Sequence, residues 1–81
     1  MKSHNKWLSE VPPKDDFGRK IIDTFIDGKT VQGPWALMTV DSYFRNGVGL
    51  GLGKGQLYKK AGKEWIQQSV NLVIKPIDEN D

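Results

Sequence analysis

The sequence predicts a small, mainly β domain with one short helix. With 81 residues, the chain forms one domain at most and can bury only a small core. Its apolar residues fall in strand-length runs rich in β-branched and aromatic side chains, and turn residues separate these runs. The chain has no cysteine and one histidine, which excludes disulfides and the usual zinc sites as sources of stability. We therefore expect a metal-free fold, ribbon-like or a small barrel, held together by its aromatic and aliphatic side chains.

The chain divides into an arm, a domain and a tail. Residues 1–16 are polar and contain a proline pair, so they predict an N-terminal arm that Trp7 and Leu8 anchor across the core. The single β-rich domain is predicted over residues 17–76. The acidic residues 77–81 predict a disordered tail.

A first hairpin is predicted near the start of the domain. Residues 20–26 are rich in β-branched and aromatic side chains, and residues 29–32 form a second short run. Asp27-Gly28 stands between them, and such a pair between two strand-like runs is a strong signal for a tight turn.

A strand and a short helix are predicted next. Residues 35–40 form an apolar run of strand length, for which a helix is the alternative because Ala, Leu and Met favour helices. Residues 41–46 predict the helix, with Asp41 as its N-cap and Gly47 just after its end.

Glycine then occupies every second position from Gly47 to Gly55. Such a run indicates unusual backbone geometry, either a bulged or coiled strand or a backbone surface offered to a partner. One interpretation is a strand that packs Val48, Leu50 and Leu52 on one side. The other is an anion-binding nest beside Lys54. The spacing matches neither the phosphate-binding loop of nucleotide hydrolases nor the dinucleotide fingerprint.

A second hairpin and a last strand complete the predicted sheet. Residues 56–60 and 63–67 flank Ala61-Gly62, which predicts a turn between two strands. Residues 69–74 predict a C-terminal strand that Pro76 ends.

The C-terminal half is basic, although the net charge is only +2. Lysines close to an aromatic residue suit phosphate contacts combined with base stacking. The nucleic-acid-binding candidates are Lys54, Lys59, Lys60, Lys63 and Trp65. In the alternative interpretation, Tyr58 and Trp65 are core residues and the lysines solvate the outer face.

No catalytic pattern is evident. The lone His4 lies in the arm, and the nearest approach to a carboxylate pair is offered by Asp23, Asp27 and Asp41. We therefore expect a protein that is not an enzyme and needs no cofactor. No apolar run approaches the roughly 20 residues that span a bilayer, and the N-terminus lacks a signal-peptide core, so a cytoplasmic protein is expected.

Three segments together resemble a known family. Residues 24–30, residues 33–38 with their Gly-Pro-Trp-Ala sequence, and residues 47–58 with their alternating glycines are similar to small bacteriophage-encoded, zinc-ribbon-like proteins of unsettled function. In that family two Cys-x-x-Cys pairs hold zinc. The corresponding positions of this chain are Lys14, Phe17, Thr39 and Ser42.

The resemblance implies a phage-derived, degenerate zinc ribbon. Phe17, Trp7 and an added strand at 70–74 are the candidates for a core that replaces the ion, and the persistence of the glycine run implies a role in shape. We expect a non-enzymatic binding module that docks onto a host or phage protein, with self-association left open and a nucleic-acid-binding accessory domain as the alternative. The candidate protein-binding residues are Tyr43, Arg45, Gly49, Gly51 and Lys54.

Overall fold

A computed structural model of the chain describes residues 6–51 and 53–68. The elements are β1 (Thr24–Lys29), β2 (Trp35–Met38), α1 (Val40–Asn46), β3 (Gly55–Ala61) and β4 (Glu64–Gln68). The strands pair antiparallel in one open sheet of order β2-β1-β3-β4. The mainly-β prediction with one short helix is confirmed. Within the described residues the sheet does not close into a barrel.

The first hairpin turns later than predicted. Asp27-Gly28 lies inside β1, and the turn to β2 is closed by the Thr30 N–H, which donates to the Pro34 carbonyl at 3.0 Å. Gly28 pairs with Gly55 across the sheet, and a Cβ on Gly28 would lie 3.1 Å from the Lys54 carbonyl oxygen. The glycine therefore permits a close approach of two strands, and the turn prediction is wrong.

The strand and helix after this turn are largely as predicted. Residues 35–38 form a strand and not a helix. The helix begins at Val40, and Thr39 is its N-cap in place of Asp41, because the Thr39 hydroxyl accepts a hydrogen bond from the Ser42 N–H. Gly47 ends the helix as predicted, and its N–H donates to the Tyr43 carbonyl at 2.7 Å.

The glycine run is a loop and not a strand. We call residues 47–51 and 53–54 the glycine loop; where the structure describes it, the loop forms single bridges and no strand, as between Gly51 and Gly55. Gly51 has a φ of +116°, which side chains rarely adopt, so the backbone turns where a strand would continue. Leu50 is buried in the core and Val48 is half-buried, whereas Leu52 lies outside the described residues. The prediction of one packed strand face is therefore wrong.

Apolar side chains pack on both faces of the sheet. On one face, α1 and the glycine loop cover a cluster of Ile26, Met38, Tyr43 and Leu50. On the other face four rings pack together, with centroid separations of 5.1–5.3 Å. We call this set the aromatic cluster: Trp7, Phe25, Tyr58 and Trp65. The second hairpin, β3 and β4 joined at Gly62-Lys63, is confirmed.

The segment before β1 reaches both edges of the sheet. The backbone N–H of Trp7 donates to the Trp65 carbonyl at 2.9 Å on the outer side of β4. The Asp16 N–H donates to the Leu37 carbonyl at 2.9 Å, and the Leu37 N–H donates to Asp16 Oδ2 at 2.7 Å, on the outer side of β2. Trp7 thus anchors the segment as predicted.

The predictions for Leu8 and for the C-terminal segments are not confirmed. The Leu8 side chain is 90% exposed and anchors nothing in the core. The predicted strand at 69–74 and the tail at 77–81 lie outside the described residues. In the part of the chain that the structure describes, no helix has the length and apolar character needed to cross a membrane.

Candidate functional site

The structure places the predicted protein-binding residues in two different environments. Tyr43 is 2% exposed, and burial raises the pKa of its phenol. Gly49 and Gly51 are also buried. Arg45 and Lys54 are exposed, one on α1 and the other at the end of the glycine loop. Residues 49–51 of the glycine loop are therefore packed against the domain, and of the five candidates Arg45 and Lys54 present their side chains to solvent.

The nucleic-acid-binding candidates also divide. Lys59 and Lys60 are consecutive in β3, so their side chains project from opposite faces of the sheet. Lys54 precedes β3 and Lys63 follows it, which separates them by about 20 Å at roughly 3.3 Å per residue. Trp65 packs against Phe25 at 5.2 Å, with Lys60 Nζ 5.8 Å from its ring centroid. Of these five candidates, the structure brings Lys60, Lys63 and Trp65 together.

A buried carboxylate lies between the turn at 14–19 and the start of α1. Asp15 is 6% exposed, and its Oδ1 accepts hydrogen bonds from the N–H groups of Phe17 (2.9 Å) and Arg19 (2.8 Å). Its Oδ2 accepts from the Thr39 N–H (2.7 Å) and the Thr39 hydroxyl (2.9 Å). Arg19 also donates to the Ser42 hydroxyl at 3.3 Å. Asp15 thus joins the turn at 14–19 to the start of α1.

The hydrogen bonds around Asp15 determine its charge state. Burial alone would raise the pKa of Asp15, but the nearby Ser42 hydroxyl and the hydrogen bonds from Thr39 and Arg19 outweigh it and lower the pKa to about 2. Among the described residues, no three His, Cys, Asp or Glu side chains are grouped as metal ligands would be. Phe17, expected to replace the ion in the core, is 38% exposed, so that prediction is wrong.

Asp15 was not among the predicted site residues. The local signal for it was an Asx-turn pattern, in which a carboxylate accepts from the N–H two residues later. Gly18, with φ of +88°, completes this turn. Its partner Thr39 lies 24 residues away, and no local pattern indicates that contact.

A groove lies at the end of the sheet where β3 turns into β4. It has a volume of about 630 Å³ and separates the segment before β1 from the second hairpin. We call it the hairpin groove, and the lining residues that matter here are Leu8, Pro12, Ile22, Lys60, Lys63 and Trp65. Leu8 is 90% exposed and Ile22 is 68% exposed, so its apolar surface is open to solvent.

Charges at the hairpin groove are unbalanced. Its lining includes Lys60 and Lys63 but one acid, Glu10. Within the described residues, the one ion pair joins Lys6 Nζ to Glu64 Oε2 at 3.0 Å, outside this lining. Lys60 and Lys63 therefore have no carboxylate partner in the described part of the chain.

The three carboxylates considered for catalysis do not meet at one place. Asp23 and Asp41 line a smaller pocket of about 260 Å³ beside Val40. Asp27 is absent from that lining and shares a sheet face with Phe25. Burial, and after it the charge of Asp16, raises the pKa of Asp27. His4 lies outside the described residues.

In comparisons with known proteins, no family model, curated protein or solved structure matches this chain.

Proposed function

We propose that this protein is a non-enzymatic binding module that docks onto another protein through the hairpin groove. The observation that supports it best is that the exposed side chains of Leu8 and Ile22 lie in this groove beside two lysines that have no carboxylate partner among the described residues. The resemblance to phage-encoded proteins suggests a host or phage protein as the partner, met in the host cytoplasm. The proposed docking surface therefore lies at the end of the sheet opposite the glycine loop, which the sequence analysis favoured.

The exposed apolar residues of the groove support a protein partner. Leu8 and Ile22 keep most of their surface in water after folding, and a partner that covers these apolar side chains would gain free energy from their burial. Trp65 forms part of the wall, and tryptophan is among the residues that contribute most to binding energy. The lining of the groove therefore combines an aromatic ring, aliphatic side chains and two lysines.

Capture of a partner tests this proposal. The tagged protein is incubated with lysate of the organism that carries the coding sequence, and stoichiometric partners are identified. Ile22→Glu places a charge in the groove and should abolish recovery. Val31→Glu is the matched control, because Val31 is 66% exposed but lies beyond the other end of β1. Equal recovery with Ile22→Glu, or no partner with the unaltered protein, would contradict the proposal.

Nucleic-acid binding remains the alternative function, with less support. Lys59 and Lys60 project from opposite faces, and Lys54 and Lys63 lie about 20 Å apart, so the candidate lysines do not form one continuous surface. A phosphate-binding surface would show affinity that falls linearly on a plot of log affinity against log salt. Titration of labelled single-stranded DNA and RNA at low salt measures it. Tight, strongly salt-dependent binding would favour this alternative over protein docking.

A further inference from the structure

The chemistry of the hairpin groove indicates what kind of segment it holds. Its volume of about 630 Å³ lies within the range of about 300–1,000 Å³ that is typical of pockets for small ligands. A groove of this size accommodates a short stretch of chain and is too small for the broad face of a folded domain. This step rests on the proposed function, since it assumes that a protein partner occupies the groove.

The charge at one end of the groove favours an acidic occupant. Lys63 is exposed at the hairpin turn, and Lys60 lies across from Trp65 in the sheet register. Neither lysine is paired with a carboxylate among the described residues, whereas the nearby Glu64 is already paired with Lys6. A carboxylate from a partner would complete this set of charges and steer its approach.

The remainder of the groove favours an apolar side chain next to that carboxylate. Leu8 and Ile22 leave most of their surface in water, and each gains about 25 cal/mol for every Å² that a partner covers. Pro12 and Trp65 add rigid walls, so an entering side chain finds a surface that is already formed.

From these observations we infer that the hairpin groove binds an extended peptide segment in which an acidic residue stands beside a bulky apolar one. The carboxylate contacts Lys63 and Lys60, and the apolar side chain covers Ile22 and Leu8. Phosphates of a nucleic acid would also be attracted to the lysines, but they leave the aliphatic surface uncovered.

Selection from a library of random linear peptides displayed on yeast tests this inference with the full-length protein. The peptides that bind are expected to be enriched in Asp or Glu next to Leu, Ile, Phe or Trp. A synthetic copy of an enriched peptide is then titrated by calorimetry against Lys63→Glu. Lys63→Glu should bind this peptide at least about fivefold more weakly than the unaltered protein does. A second peptide, in which lysine replaces the acidic residue, should recover part of that loss of affinity for Lys63→Glu.

Lys59→Glu is the matched control, because it changes the net charge equally on the same hairpin but projects from the other face. Its affinity for the peptide should stay within about twofold. Equal losses in the two variants, enrichment without acidic residues, or displacement of the peptide by a single-stranded oligonucleotide would overturn the inference.

Ile22→Glu separates this inference from the proposed function. If the selected peptides lack acidic residues but do not bind the Ile22→Glu variant, the groove is a docking site and the acidic occupant is refuted. Failure to select any peptide, or binding that is indifferent to Ile22→Glu, would refute both.

Discussion

Single polar atoms in the interior have opposite consequences for stability. The Asp15 carboxylate is buried and accepts four hydrogen bonds, two at each oxygen. The Tyr43 hydroxyl is buried without a hydrogen-bond partner in the described structure, as is the Trp7 indole N–H. A satisfied buried group stabilises its surroundings, whereas an unsatisfied one retains the cost of leaving water.

Removal of the unpaired Tyr43 hydroxyl should stabilise the protein. Tyr43→Phe keeps the ring in the core and removes an atom whose burial costs about 1–3 kcal/mol, so the free energy of unfolding should rise by about 1 kcal/mol. Urea denaturation followed by tryptophan fluorescence measures it. Tyr58→Phe is the control, since the Tyr58 hydroxyl is not among the buried unpaired atoms of the described residues. A destabilised Tyr43→Phe would mean that the hydroxyl has a partner.

The lowered pKa of Asp15 predicts a loss of stability in acid. Its pKa is about 2 in the folded protein and near 3.8 in the unfolded chain, so its stabilising contribution is present above pH 3.8. This contribution, about 2 kcal/mol, disappears as the pH falls from 3.8 to 2. Asp15→Asn should be less stable at pH 7 and should lose less stability between pH 5 and pH 2. Asp41→Asn, an exposed carboxylate at α1, is the control.

At the scale of elements, local signals predicted some structures well and others poorly. The β3–β4 turn at Gly62 and the end of α1 at Gly47 depend on residues next to them in sequence, and both were predicted. The local sequence predicts Gly28 as a turn residue, but Gly28 pairs with Gly55, which is 27 positions later. Its structural role therefore depends on strand pairing. Asp15 was missed for the same reason, because Thr39 is distant in sequence.

The candidate site was predictable only in part. Lys60, Lys63 and Trp65 were identified from composition, and the hairpin places them together. The sequence predicts Leu8 as an anchor and Ile22 as a strand residue, because it does not show which apolar side chains stay in water. The groove itself arises where residues 7–13 pass the hairpin, and that contact is entirely long-range.

The buried residues 49–51 of the glycine loop should depend on the positive φ of Gly51. Gly51→Ala places a side chain at φ of +116°, which should lower the free energy of unfolding by about 1–3 kcal/mol. Thermal denaturation followed by circular dichroism measures it. Lys54→Ala, an exposed change in the same loop, should alter stability by less than about 0.5 kcal/mol. A normally stable Gly51→Ala would argue that this glycine is retained for an interface.

For the molecule as a whole, stability depends on the two-sided burial of the sheet. The face opposite α1 has no helix over it in the described residues, and the Trp7 ring packs there against Phe25 and Tyr58. This arrangement makes the segment before β1 part of the folded unit.

Trp7→Ala should therefore destabilise the whole domain. The loss of ring packing on Phe25 and Tyr58 is expected to cost about 2–4 kcal/mol, measured by urea denaturation. Leu8→Ala is a closely matched control, because Leu8 is the next residue and its side chain is almost fully exposed. Equal stabilities of the two variants would show that the segment is dispensable.

The hydrogen bonds that residues 7 and 16 make with the outer strands also bear on aggregation. Uncovered strand edges are templates on which further copies add and grow into fibrils, and here the chain's own leading segment occupies part of each edge. A Trp7→Ala/Asp16→Ala double variant loses the ring packing and the carboxylate that hold this segment against the two edges. It should scatter light and bind amyloid dyes sooner than Gly51→Ala at equal stability. If both aggregate at the same rate, general unfolding, and not the opened edges, is responsible.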